Sequence, residues 1–230
     1  MKKIGILIFV AALVVGMVVS NMFSFGRVTG FSFPFKFGSV KGSGNVVTDK
    51  RAISGFKGVN ANGVFQVEIT AQKEYAVEVE ADDNLLPLIK TQTEDGVLRL
   101  STERRLSTSN PIKVRISAPD INNLDVSGAA NVTLSSVKNG GLTVESSGAS
   151  KLNISGETSK LTIDVSGATK IAAENLAVEN ANIEASGASK VDVNVSGTLR
   201  ANASGASKIS YSGSPELTQR TSGASSVSPR

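Results

Sequence analysis

The chain has 230 residues, room for one large or two small domains, and its 24 basic against 20 acidic residues leave a net charge of +4. Lys2 and Lys3 supply part of that excess at the N-terminus, so the remainder is too thin and dispersed for a nucleic-acid-binding surface. With no cysteine and no histidine, disulfides, thiol nucleophiles, a Ser-His-Asp triad and the ligand sets of most zinc and iron centres are excluded.

Met1-Lys2-Lys3 is followed by the uncharged apolar run Ile4 to Val19, the pattern of an export signal. Two outcomes stay open for residues 1–22. Val18-Val19-Ser20 offers small residues at the offsets signal peptidase needs. Alternatively the apolar run continues through Met22, Phe23 and Phe25 to Arg27, so that residues 4–25 form a helical membrane anchor. Lipoprotein processing is excluded, because no cysteine can carry the lipid. Either way Lys2 and Lys3 favour an inside N-terminus, which puts the remainder outside the cytoplasm: in the periplasm, on the cell surface or secreted.

Residues 23–45 read as a Phe- and Gly-rich linker. Phe31, Phe33, Phe35 and Phe37 alternate, so an extended chain sets four rings on one side. They suit a membrane interface beside an anchor, or a strand packed over the first coil of the repeat region. Lys41-Gly42-Ser43-Gly44 reads as a flexible joint.

From 46 to 120 the chain alternates apolar and polar residues without a visible period. Strands are expected at Val64–Thr70, Tyr75–Glu80, Val97–Ser101 and Ile112–Ile116. Asn84 to Ile89 can make a short helical turn that Pro87 limits. Arg104 to Pro111 reads as a surface loop. These strands are either earlier, less regular coils of a repeat stack over 121–228, with a terminal coil as cap, or a separate small β-domain.

The segment 121–228 is periodic. Ser-Gly-Ala recurs with its serine at 127, 147, 166, 186, 204 and 222, giving steps of 20, 19, 20, 18 and 18 residues. Such a period signals units too small to bury their own apolar faces, which become stable only when stacked. Aligned on that serine, four columns are apolar. Three residues before it stand Leu124, Val144, Ile163, Ile183 and Ala201, and five before it Leu142, Leu161, Ala181, Leu199 and Leu217. Five after it stand Val132, Leu152, Ile171, Val191, Ile209 and Val227, and seven after it Leu134, Ile154, Ala173, Val193 and Tyr211.

Polar residues separate these columns, so each unit holds short strands with one face buried. The glycine permits a sharp corner, and the alanine after it is expected to sit inside that corner. A second bend of variable length, at Ser155-Gly156, Ser196-Gly197 and Ser212-Gly213, accounts for the sliding period. The predicted fold is all-β: a right-handed parallel β-helix, or β-solenoid, with coils of about 19 residues, preceded by the signal or anchor helix.

Charge also falls into columns. Two residues before the serine stand Asp125, Glu145, Asp164 and Glu184, then Asn202 and Arg220. Four after it stand Lys151, Lys170, Lys190 and Lys208. Stacking would align them into an acidic and a basic stripe. Like charges ~5 Å apart in water repel by ~0.8 kcal/mol, tolerable if the stripes offset one another. The stripes are then either a solvated, charge-balanced face or a ladder for a linear polyanionic glycan or other surface polymer.

No catalytic, metal-binding or cofactor-binding residue is singled out. The acid pairs Asp82-Asp83 and Glu94-Asp95 fall in expected turns, where carboxylates are simply solvated. Polysaccharide-cleaving solenoids frame clustered carboxylates with long loops, and the corners here are short. No helix follows a glycine cluster as a phosphate-binding loop requires. Four Asn-X-Ser/Thr sequons (Asn131, Asn153, Asn194, Asn202) are expected by chance in so Asn- and Ser-rich a chain. The last copy lies close to residue 230, so an open solenoid end could pair with a partner or a second copy, although Pro215, Pro229 and Arg230 would blunt it.

The Ser-Gly-Ala-Ser-Lys units, Arg51-Ala52-Ile53-Ser54-Gly55-Phe56 and the stretch from Asn84-Leu85-Leu86 through Thr91 to Asp95-Gly96-Val97-Leu98-Arg99-Leu100 resemble the bacterial GIN-domain family, DUF2807, named for autotransporter adhesin heads. The resemblance spans about Val46 to Ser214. It implies an exported β-helical domain and brings no catalytic residues. Three functional readings are open: an adhesin that binds a glycan or other extracellular polymer without catalysis; a structural or sensory envelope protein that binds surface proteins; and a carbohydrate-active enzyme.

Overall fold

The computed structural model describes residues 38–230. The signal or anchor at 1–22 and the alternating phenylalanines at 31–37 lie outside the described residues. From Gly38 onward the strands are β1 (Val40–Lys41), β2 (Val46–Arg51), β3 (Gly58–Gly63), β4 (Gln66–Thr70), β5 (Ala76–Asp82), β6 (Ile89–Glu94), β7 (Val97–Thr102), β8 (Leu106–Ser107) and β9 (Lys113–Ser117). The repeats supply β10 (Asn123–Gly128), β11 (Asn131–Asn139), β12 (Leu142–Gly148), β13 (Lys151–Val165), β14 (Lys170–Ala185), β15 (Lys190–Ala203), β16 (Lys208–Ser212), β17 (Glu216–Thr221) and β18 (Ser226–Pro229). A single 3₁₀ turn, Leu86–Leu88, occupies the place of the expected helical turn, with Pro87 inside it.

Apart from the β1–β8 ladder, these strands form one 16-stranded sheet, wound as a β-solenoid. Every pairing between repeat strands is parallel. One ladder runs through β3, β10, β12, the end of β13, the end of β14, the end of β15 and β17. A second runs through β4, β11 and the starts of β13, β14 and β15 to β16 and β18. The Ser-Gly-Ala corners join the two. The strands from β13 to β15 are long because they continue through the second bend, where the register shifts.

The coils of residues 46–120 belong to the same sheet. Asn62-Gly63 lies beside Ser127-Gly128, and Val59, Val67 and Ile69 lie beside Leu124, Val132 and Leu134. Beyond this coil stand β7 and β9, which come later in the chain. Chain order and stacking order therefore differ: the coil made by β3 and β4 is inserted between β7–β9 and β10–β11. Antiparallel strands close this end, with β6 on β7, β5 on β9 and β2 on β5. The Arg51 guanidinium bridges the two halves of the cap, donating to Ile89 O at 2.8 Å, Thr91 Oγ1 at 3.0 Å and Leu86 O at 3.2 Å.

All four apolar columns point inward and are buried as far as the penultimate coil. Leu217, Tyr211 and Val227, in or beside the last coil, are only partly buried. The corner alanine differs from expectation. Ala149, Ala168, Ala188 and Ala206 are exposed, and the hydroxyl residue after each of them, Ser150, Thr169, Ser189 and Ser207, lines the interior. Ser207 Oγ donates to Ala185 O of the preceding coil at 3.1 Å. Ser225 Oγ repeats the contact with Ala203 O at 2.9 Å. Both hydroxyls reach carbonyls at the corner of the coil below that also accept a backbone N–H, from Ser204 at 2.8 Å and from Ser222 at 3.0 Å, and so satisfy the buried hydroxyl on the carbonyl's second lone pair.

Three further expectations change. Val64 does not start an inward strand; it stands in a corner and is 72% exposed, and β4 begins at Gln66. The Lys41–Gly44 stretch is no free joint: Gly42 N donates to Ser107 O at 2.9 Å, Ser43 N to Asn84 Oδ1 at 2.9 Å, and Asn84 Nδ2 to Lys41 O at 2.8 Å. The third concerns Asp82, which is not a solvated turn acid. It ends β5 at 2% exposure and holds the loop that carries β8.

Candidate functional site

The stacking register sets the charged columns side by side. On the first ladder the order is Arg99, Asn60, Asp125, Glu145, Asp164, Glu184, Asn202, Arg220. Four carboxylates are thus consecutive, flanked at both ends by an amide and then an arginine. Asn60 Nδ2 donates to Asp125 Oδ2. On the second ladder the order is Lys113, Gln66, Asn131, Lys151, Lys170, Lys190, Lys208, Ser226. Four ammonium-bearing residues therefore follow one another at the parallel-strand spacing of ~4.8 Å.

The two stripes lie on opposite flanks of the Ser-Gly-Ala corner, and among the described residues no ion pair links them. Lys190 Nζ is paired instead with Asp192 at 3.2 Å, on its own strand. Lys151, Lys170 and Lys208 have no carboxylate within ion-pair distance among the described residues. The mutual offset expected of the stripes is not made by direct contact, and the lysine column presents a row of cationic groups to solvent. Among the described residues no group of three or more Asp or Glu is arranged to hold a metal ion.

The second candidate feature is a groove that the sequence does not reveal, beneath the surface loop expected at Arg104 to Pro111. Between β7 and β9 the tight corner is replaced by the loop 103–112. This loop overhangs a groove of about 640 Å³ whose walls include Val64, Phe65, Gln66, Arg105, Leu106 and Asn131. Asp82 braces the loop: its carboxylate accepts from Thr108 Oγ1 at 2.6 Å and from Asn110 Nδ2 at 2.8 Å. Those two bonds, with the Gly44 N–H, hold the Asp82 carboxyl below its ordinary 3.8, against burial and the Asp83 charge, which push it up. Asp83 is lowered too, first by Ser43 Oγ, then by Asn45 and by the Asn84 N–H. On the same strand as Asp82, Glu80 is lowered by Lys113 at 2.8 Å and Arg115 at 3.1 Å. The β1–β8 ladder ties down the far side of the loop, with Val40 beside Leu106.

A parallel β-solenoid closed by an antiparallel cap, with a ladder of lysines leading toward a loop-walled groove, defines the class of architecture. The family described as "Putative auto-transporter adhesin, head GIN domain" matches residues 55–215, and the chain belongs to that family. Solved structures share the fold. One is "a putative adhesin" from Bacteroides fragilis, 20% identical with a TM-score of 0.64, covering 83% of this chain and 99% of its own. A "putative adhesin" from Parabacteroides merdae is 22% identical with a TM-score of 0.54, covering 84% and 99%. A "Putative lipid binding protein" from Parabacteroides distasonis is 17% identical with a TM-score of 0.53, covering 84% and 100%. No curated protein matches.

Proposed function

We propose that this protein is an exported cell-envelope adhesin that holds an acidic extracellular polymer along Lys151, Lys170, Lys190 and Lys208, without catalysis. The observation that supports it is the lysine register: four like charges on adjacent strands, three of them without an intramolecular carboxylate partner among the described residues. Mutual repulsion makes such a row costly in isolation, and a linear polyanion with periodic charges relieves it. The winding is taken as right-handed, as parallel crossovers in one sheet are. Export rests on the basic and apolar N-terminus, and the adhesin role is in keeping with the family description.

The test replaces all four lysines with glutamine. At Lys151, Lys170 and Lys208 such surface substitutions each change stability by no more than about 0.5 kcal/mol, whereas Lys190→Gln also removes the ion partner of buried Asp192, so circular dichroism checks that the variant is folded. Binding to acidic members of a glycan array should fall, and wild-type binding should weaken as salt screens the ladder. An array profile identical for wild type and variant overturns the reading. A second reading, attachment to a surface protein or a second copy, draws on β17 and β18, whose outer edges pair with no other described strand. It predicts that Gln219→Pro, whose N–H faces away from β15 on that edge, abolishes a complex that the lysine variant still forms.

A further inference from the structure

The lysine column does not end in open solvent. Past Lys151 it continues through Asn131 to Gln66, and both residues line the groove beneath the loop 103–112. One step further the column reaches Lys113, whose ammonium is taken by Glu80 at 2.8 Å. The run of cationic groups open to solvent therefore stops where the groove begins. The groove has one charged residue of its own, Arg105, and no carboxylate among its lining residues. Its volume lies within the ~300–1,000 Å³ of small-ligand sites.

The walls combine two kinds of surface. Val64 and Leu106 offer exposed or half-exposed aliphatic faces, and Val64 stands where later copies carry alanine. The side chains of Gln66, Arg105 and Asn131 make no hydrogen bond to any described residue, so their donors are available. An aliphatic wall, free amides and one guanidinium match a pyranose ring that carries a carboxylate. Ring C–H groups pack on the wall, hydroxyls meet the amides, and the carboxylate takes the planar fork of arginine. Asp82 and the β1–β8 ladder hold the loop in place, so the groove exists before ligand arrives.

We infer that this groove is a terminal subsite: it takes the last uronic-acid unit of an acidic glycan whose body lies along the lysine ladder. The inference rests on the ladder reading for the polymer, but the groove binds a short acidic oligosaccharide by itself. Arg105 and Val64 recognise the end unit, and the lysines add length-dependent avidity.

The experiment titrates the full chain with trigalacturonate, polygalacturonate and, as an uncharged control, maltotriose, by calorimetry. Arg105→Gln removes a charge-assisted hydrogen bond at an exposed site and should weaken trigalacturonate about tenfold or more. Val64→Glu, which sets a carboxylate in the groove, should weaken it at least as much. The four-lysine variant should bind trigalacturonate as wild type does and lose affinity only for the polymer. If wild type fails to bind trigalacturonate, binds maltotriose equally well, or is unaffected by Arg105→Gln, the terminal subsite is overturned. If the lysine variant keeps full polymer affinity while Arg105→Gln loses the trisaccharide, the subsite stands and the ladder reading falls.

Discussion

Gly187→Ala tests the stacking most directly. Gly187 has φ +75°, in the left-handed region. A Cβ built there would lie 2.6 Å from Gly167 O and 2.9 Å from Gly167 N in the preceding coil. That carbonyl already accepts Ala188 N at 2.8 Å, one of the bonds holding the two corners together. Left-handed backbone costs an L-residue roughly 1–2 kcal/mol. Relieving the clash forces the corners apart, at about 1–3 kcal/mol for overpacking and about 1 kcal/mol for the weakened hydrogen bond. The expected loss is about 3–6 kcal/mol, against the ~5–15 kcal/mol that keeps a domain folded. Urea denaturation followed by circular dichroism measures it. Gly140→Ala is the control, since nothing lies within 4 Å of its Cβ. A Gly187→Ala midpoint equivalent to less than about 1 kcal/mol of loss would refute the claim that coils meet at their glycines.

Three other perturbations probe core, cap and charge. Leu152→Ala empties a site with 0% exposure inside the stack and should cost about 2–5 kcal/mol in the same denaturation assay, whereas Leu217→Ala, half-buried on the last coil, should cost less than half as much. The lowered carboxyls of Asp82, Asp83 and Glu80 stabilise the cap fully above their ordinary values of 3.8 and 4.5, and that stability is lost as the pH falls through the lower folded values. Asp82→Asn should therefore lower stability at neutral pH and flatten the acid limb of a melting-temperature profile, and a limb as steep as that of wild type would count against it. Asp164→Asn removes one member of the acidic column and should stabilise by roughly 0.5 kcal/mol at low salt, a gain that 1 M salt erases.

The repeats are legible because their columns recur at nearly constant spacing and every coil meets a similar neighbour. Leu124, Val144, Ile163 and Ile183 each face the same interior, so burial follows from alignment alone. The coil at 58–70 is not legible as a copy. Asn62-Gly63-Val64 replaces Ser-Gly-Ala, and an intervening stretch of cap strands separates it from Ser127, which breaks the period. Its glycine is the surviving mark, with Val59 and Val67 at the column offsets. The interior hydroxyl column is hidden for a different reason. Serine and threonine at Ser150, Thr169, Ser189 and Ser207 look like solvated corner residues by polarity, yet all four are buried; Ser207, like Ser225, satisfies its hydroxyl on a carbonyl of the coil below, a partner only stacking supplies, while Ser189 Oγ has no partner among the described residues. Asp82 is hidden likewise: polarity points to water, and only the fold shows that Thr108 and Asn110 converge on it from a distant loop.

Asp82 and the coil at 58–70 share a location, the capped end of the stack. Where the period is regular, each coil's contacts are set by neighbours of similar sequence, and a change at one corner has to suit the coils on either side. At the capped end that constraint lapses: β9 meets antiparallel β5 on its outer side, and the corner between β7 and β9 opens into the loop 103–112. There a side chain as large as Val64 stands exposed at a corner without clashing with a copy of itself above and below. A recognition site specific to one chain end needs an environment that does not recur coil after coil. In a solenoid this uniform, the broken corner supplies it, and the lysine column leads to it because Asn131 and Gln66 occupy that column's next two registers.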